Sequence, residues 1–280
     1  MSTHELTKLF DALGIPTDKP GFYDHPNFIK RERENPLFLE SYRQFVALKQ
    51  FDSHYLDRVR KIVPSLSQYL FDHLQRDGRL GACAGVSSAM SRMLDELGIW
   101  NFPTAGGIPI DFPIDSGIGR SGIPVLVAEK VDVTHSWLTA PPFQIVDLTI
   151  QAQHWNMGEE TILAGFVMEE ASNCNPTSEI QVNDLVYTDE FYRLTGQRAT
   201  IESVCSMRPG LLSEIERHGI WLIEKWGCRL KYIGNATNFS IQPLSQLPFS
   251  LCGKSAQQLF DEYIGLHPYV VPKALDEKNE

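Results

Sequence analysis

The chain has 280 residues, 42% of them hydrophobic and 21% charged, which is an ordinary globular composition with length for one large domain or two modest ones. The formal net charge of −10, with no clustered basic run, argues against a nucleic acid or an anionic membrane as partner. No stretch approaches the roughly 18 uninterrupted apolar residues of a membrane-spanning helix.

The first residues show no basic start leading into an apolar run, so no secretory signal is expected. Leu6, Leu9, Phe10 and Leu13 instead mark a short amphipathic helix that stops at Gly14. Residues 1–80 read as mainly helical, with one long pattern, "YLDRVRKIVPSLSQYLFDHLQRDG", expected to be interrupted at Pro64. From 81 to 98, "GACAGVSSAMSRMLDELG" places Val86, Ala89, Met90, Met93, Leu94 and Leu97 on one helical stripe, with Gly98 as the stop. Cys83 lies on that stripe at the start of the helix. A thiol there feels the positive end of the helix dipole and unsatisfied N–H groups, which favour the thiolate. The competing reading is a small buried hydrophobe, the usual place of a free cysteine.

Residues 101–124, "NFPTAGGIPIDFPIDSGIGRSGIP", hold five glycines and four prolines and read as a long loop. Because it links the Cys83 helix to the next strand, the loop is expected, if that thiol belongs to a site, to border it as a lid, with Asp111, Asp115 or Arg120 touching what binds there. "VLVAEKVDVTHSWL" and "FQIVDLTIQ", separated by "TAPP", read as a hairpin. The remainder reads as an α/β extension, with helices in "LLSEIERHGIWLIEKWG" and "SAQQLFDEYIG" and strands in "CRLKYIG" and "FSIQP". The expected division is a helical region at 1–74, a catalytic core at 75–155 and the extension at 156–280.

The five cysteines, at 83, 174, 205, 228 and 252, are scattered and have no C-x-x-C pair. Neither a metal site nor a disulfide framework is suggested, so reduced thiols in a cytoplasmic compartment are expected, with no cofactor. Asp147 is the odd residue of its strand, because an unpaired carboxylate buried in "QIVDLTI" would be costly. A three-residue turn at 140–142 would set His135 directly across from Asp147 and Trp137 across from Ile145. A slip of one residue would send His135 and Asp147 to opposite faces. The pair is either a structural ion pair or the base and its orienting acid, and a helix packed on this sheet would bring Cys83 to the free imidazole nitrogen.

These stretches resemble a known family. "THSWLTAPPFQIVDLTI" is similar to the His and Asp motifs of the transglutaminase-like superfamily of papain-fold enzymes, and "GACAGVSSAMSRMLDELGI" to its nucleophile motif. The resemblance spans roughly 75–152. It implies an α+β fold whose papain/transglutaminase-like core packs a nucleophile helix on an antiparallel sheet. It further implies Cys83 as nucleophile, His135 as base and acid, and Asp147 as the orienting residue. Such enzymes hydrolyse or transfer acyl groups from amides or thioesters, so the expected partner is a protein, a peptide or a small amide or acyl substrate. The arylamine N-acetyltransferases are the second resemblance: "GRLGAC" is similar to their "RGGxC" stretch, but Leu80 replaces a glycine and "LTI" follows the Asp. A third reading is a non-catalytic papain-like binding domain. The Cys83 N–H is the natural oxyanion donor, with Gln75 a candidate second donor, Trp137 a shield for the His–Asp pair, and His154 with Trp155 candidates for the cleft mouth.

Overall fold

The computed structural model describes residues 1–126, 135–156 and 158–270. The N-terminal region is helical as expected. Helix α1 (Thr3–Ala12) is closed by a capping box between Ser2 and Glu5. It packs with α2 (Pro26–Glu34) and α3 (Leu39–Leu48) around Phe10, Phe22, Tyr42, Phe45 and Trp100. Helix α4 (Ser53–Asp77) starts at Asp52, whose carboxylate accepts the Tyr55 N–H at 2.8 Å. It runs unbroken through Pro64, contrary to the expected interruption. Val59, Ile62, Val63, Leu66, Leu70 and Leu74 bury one stripe across both halves, and that packing outweighs the hydrogen bond the proline cannot make.

Helix α5 (Cys83–Glu96) buries Val86, Ala89, Met90, Met93 and Leu94 against α4 on one side and the sheet residues Leu138, Ala140 and Val146 on another. Its far end is tied to the N-terminal helices by Arg92–Asp24 at 2.9 Å and by the Tyr23 hydroxyl, which donates to Asp95 at 2.7 Å.

The 101–124 segment is not a loop. It forms β1 (Phe102–Asp111) and β2 (Arg120–Ile123), an antiparallel pair, and β1 is the central strand of the sheet. Pro103 pairs with Leu138 and Pro109 with Gly122, and neither is among the residues paired with β8. Gly106 is there for proximity, since a Cβ on it would sit 1.9 Å from the Ile233 carbonyl oxygen. The connection between the two strands, with Ile114 and Asp115, is exposed.

Strands β3 (His135–Ala140) and β4 (Phe143–Asp147) form the expected hairpin. The part of the first strand expected at 127–134 lies outside the described residues. After α6 (Glu159–Ile162) come β5 (Val167–Glu170), β6 (Asn175–Thr177) and the helices α7 (Val182–Leu185), α8 (Thr188–Thr195), α9 (Ile201–Met207) and α10 (Leu211–His218). Then follow β7 (Ile220–Lys225), β8 (Cys228–Thr237) and, after a short β9–β10 hairpin (Ser250–Leu251 with Lys254–Ser255), α11 (Ala256–Leu266). The helix expected across 211–227 ends at His218. Gly219 turns the chain and "IWLIEK" becomes β7, paired with β8. "FSIQP" is not a strand.

The result is a mixed α/β protein with a curled antiparallel sheet ordered β5-β4-β3-β1-β8-β7-β6, with β2 paired to β1 off that path. Strands from both sides of position 155 share this one sheet. No described helix is long and apolar enough to cross a membrane.

Candidate active site

Cys83 is the first residue of α5, and Gly81, with a left-handed φ of 66°, turns the chain into the helix. The Gly81 N–H donates to the Ala152 carbonyl at 2.8 Å, which ties the approach to Cys83 to the segment that follows β4. One turn into the helix, the Ser87 hydroxyl donates to the Ser136 carbonyl at 3.2 Å. That bond fixes the start of α5 against the start of β3, where His135 sits.

The expected hairpin register is corrected by two residues. Leu138 pairs with Val146 and Ala140 with Phe143, so the turn is Pro141–Pro142 and the register shifts within the strand pair. His135 and Asp147 are diagonal rather than directly opposed, and Trp137 no longer lies across from Ile145. A shift of two keeps both side chains on one face, and diagonal positions remain within reach of a long side chain. His135 Nε2 lies 2.8 Å from Asp147 Oδ2, with the two residues 0% and 1% exposed.

Asp147 is held by more than the imidazole. The Tyr232 hydroxyl of β8 donates to Oδ2 at 3.0 Å, and the Thr149 N–H and hydroxyl donate to Oδ1 at 2.9 and 3.1 Å. The Thr149 contact follows from an Asp two residues ahead of a Thr, a local turn signal present in "VDLT". Tyr232, 85 residues away, left no sign in the sequence. Burial and the Asp147 charge keep the Tyr232 hydroxyl protonated, so it serves as donor.

With Nε2 committed to Asp147, Nδ1 is the nitrogen left to take a proton, and it is buried without a hydrogen-bond partner of good geometry. The titrating neighbour of the ring besides Asp147 is the Cys83 thiol. Burial disfavours the imidazolium, but the charge and hydrogen bond of Asp147, with a smaller contribution from Cys83, raise the His135 pKa to about 10. Burial likewise disfavours the Cys83 thiolate. The neighbouring His135, helped by the Ala84 N–H, outweighs that burial and the Asp147 charge and pulls the thiol below its ordinary value. Cys174, Cys205 and Cys228 move the other way, each pushed up by burial and then by a nearby glutamate. The first turn of α5 also leaves N–H groups without helical acceptors, which suits an anion forming at the thiol.

Trp137 is 1% exposed, 6.2 Å from His135 between ring centroids and edge-on to Tyr232 at 5.1 Å, so it closes one side of the pair from water. His154 lies at the mouth: a Cβ on Gly81 would be 3.4 Å from its Nε2. With Trp155 it separates two cavities of 590 and 640 Å³. Gln75 is exposed on the wall of the first, its amide donating to Gln151 at 3.1 Å, and it makes no hydrogen bond to Cys83. Of the residues expected to touch substrate from the 101–124 segment, Asp111 pairs with Arg120 at 2.7 Å and Arg120 also reaches the buried Asp184. Asp115 is exposed in the tip of the β1–β2 connection. This ion-paired network braces the hairpin.

Among the described residues, no group of His, Cys, Asp or Glu is placed to hold a metal ion. Comparison with protein-family models, curated proteins and solved structures returns no match.

Proposed function

We propose that the protein is a cysteine-nucleophile enzyme with a papain/transglutaminase-like core, acting on an amide or thioester carbonyl through a covalent acyl-enzyme. The observation that carries this reading is the buried His135–Asp147 pair at 2.8 Å, with Cys83 heading the helix that the Ser87–Ser136 bond sets against the start of β3. The Cys83 thiolate attacks the carbonyl carbon, forming a C–S bond while the oxygen takes the negative charge. The helix-terminal N–H groups stabilise that oxyanion. As the tetrahedral centre collapses, the C–N or C–S bond to the leaving group breaks, and the imidazolium proton passes to that group. Water or an amine, deprotonated by the now neutral His135, then attacks the thioester and restores the thiol. Asp147 fixes the tautomer with its Nε2 hydrogen bond and stabilises the imidazolium, without itself taking the proton.

The test is to incubate the protein with a cell extract, quench in acid and weigh the Cys83 peptide. An acyl adduct on Cys83, preserved by the acid quench and absent from Cys83→Ala, is the expected result. A Cys83 peptide that stays at its unmodified mass with every acyl donor fraction would overturn the reading.

A further inference from the structure

A cavity of 570 Å³ opens between α3, the Pro141–Pro142 turn of the β3–β4 hairpin, the end of α10 and the start of β7. That volume lies within the range of about 300–1,000 Å³ found for small-ligand sites. Cys83, His135 and Asp147 are not among its lining residues. Phe102, Trp137, Phe143 and Trp221 give it aromatic walls, and Trp137 stands 6.2 Å from His135 between ring centroids.

Two polar side chains on those walls are more than nine-tenths buried and incompletely satisfied. Arg43 is 8% exposed, with its guanidinium 5.9 Å from the centre of the Phe102 ring. Its Nε donates to Glu40 at 2.8 Å and its Nη2 to the Arg217 carbonyl at 2.6 Å. Its Nη1 has no hydrogen-bond partner among the described residues. Thr104 is 5% exposed, and its hydroxyl likewise has no partner among the described residues. A donor buried without an acceptor is costly, so both groups call for an oxygen from outside the chain.

The neighbouring carboxylates are engaged elsewhere. The other oxygen of Glu40 takes the Thr237 hydroxyl at 2.6 Å and lies 3.1 Å from His218 Nε2. Glu170 is held by Arg60 at 2.7 Å. Glu216 and Arg217 are both exposed and carry opposite charges. Water would satisfy the two donors but make little use of the four aromatic side chains. A flat aromatic acid would do both, because a carboxylate accepts strongly from a guanidinium and rings stack on rings.

We propose that this cavity binds a small aromatic carboxylate, with its ring against Trp137 and Trp221 and its carboxylate on Arg43 Nη1 and the Thr104 hydroxyl. The site is separate from the Cys83 centre and does not depend on the catalytic reading above.

Isothermal titration of the whole protein with 2-naphthoate, 2-naphthamide and acetate tests this. The expected result is that 2-naphthoate saturates one site at least tenfold more tightly than 2-naphthamide, and that acetate gives no binding heat over the same range. Thr104→Val keeps the shape of the side chain and removes a hydroxyl that satisfies nothing in the free protein. Its melting temperature should therefore hold while its affinity for 2-naphthoate falls about fivefold. Ala47 is exposed on α3 and lines the cavity, so Ala47→Trp should fill the space and abolish binding with the circular dichroism spectrum unchanged. Failure of 2-naphthoate to bind, equal affinity for 2-naphthamide, or native affinity in either variant would overturn the proposal. Cys83→Ala should bind 2-naphthoate as the native protein does, whatever becomes of the catalytic reading. Loss of binding in that variant would contradict a separate site.

Discussion

The Asp147→Asn substitution exchanges one carboxylate oxygen for an NH₂ and should cost the site its chemistry while leaving the fold. In the native site the carboxylate accepts four hydrogen bonds: from His135 at 2.8 Å, Tyr232 at 3.0 Å, and the Thr149 N–H and hydroxyl at 2.9 and 3.1 Å. An asparagine can keep both Thr149 bonds on its carbonyl oxygen, which turns its NH₂ toward Tyr232 and His135. The tyrosine hydroxyl can accept from that NH₂, but His135 Nε2 must then accept as well. The ring proton moves to Nδ1, the nitrogen that should receive the thiol proton. With no carboxylate the imidazolium also loses its main support, so only the Ala84 N–H is left to oppose burial at Cys83, and the thiol rises. Each unit of thiol pKa removes tenfold of the thiolate near pH 7, and a wrong tautomer in a comparable triad costs about 10⁴ in turnover, so Cys83 alkylation at pH 7 should slow by about two orders of magnitude or more. The stability loss should be only about 1–3 kcal/mol, because no buried charge is left unpaired. Urea unfolding and the rate of iodoacetamide labelling on the same samples measure the two. An Asp147→Asn protein that folds and labels at the native rate would refute this reasoning. One that unfolds outright would show the pair to be chiefly structural.

The Ser87→Ala variant should lose about 1 kcal/mol with its bond to the Ser136 carbonyl, and slow Cys83 labelling several-fold because that bond sets the start of α5 against β3. Labelling that tracks stability alone, with no specific slowing, would remove Ser87 from the positioning of the site. Gly106→Ala should destabilise by about 3 kcal/mol or more, because the new Cβ would meet the Ile233 oxygen at 1.9 Å. Gly117→Ala meets nothing within 4 Å and carries only the strain of a left-handed φ of 71°, so about 1 kcal/mol is expected. Thermal denaturation of the pair checks the order, and an equal drop in both would contradict the central position of β1.

Cys83, His135 and Asp147 are legible because each follows a local rule. A cysteine on an apolar stripe at a helix start stays near the N-terminus whatever the helix packs against. The expected hairpin register is off by two residues, and an even slip preserves the face, so the His135–Asp147 pairing survives the error. Tyr232 is invisible in the sequence because β8 joins β1 only through long-range pairing. Strand β1 is hidden by its own composition: Gly106 and Gly107 mark close approach of neighbouring backbones, and in isolation that looks the same as flexibility. In "LLSEIERHGIWLIEKWG" the apolar spacing fits a helix and a strand equally well beyond Gly219, and pairing with β8 decides for the strand.

The central claim is that Cys83 is an activated thiol, and the pH dependence of its alkylation tests this most directly. The lowered Cys83 and raised His135 define a window in which thiolate and imidazolium coexist. Lowering the pH through the depressed thiol value protonates the sulfur and stops the reaction. Raising it through about 10 discharges the imidazolium that holds the thiolate. Stability follows the same signs. The His135 contribution is complete below the unfolded imidazole value and is lost as pH rises through about 10. The Cys83 contribution is present above the unfolded thiol value and is lost as pH falls through its folded one. With limiting iodoacetamide between pH 5 and 9, the label should appear on Cys83 well below pH 8. It should appear there before Cys174, Cys205 and Cys228, and before the exposed Cys252. If Cys83 labels only in the ordinary thiol range, together with Cys252 or after it, the account of an activated nucleophile is wrong.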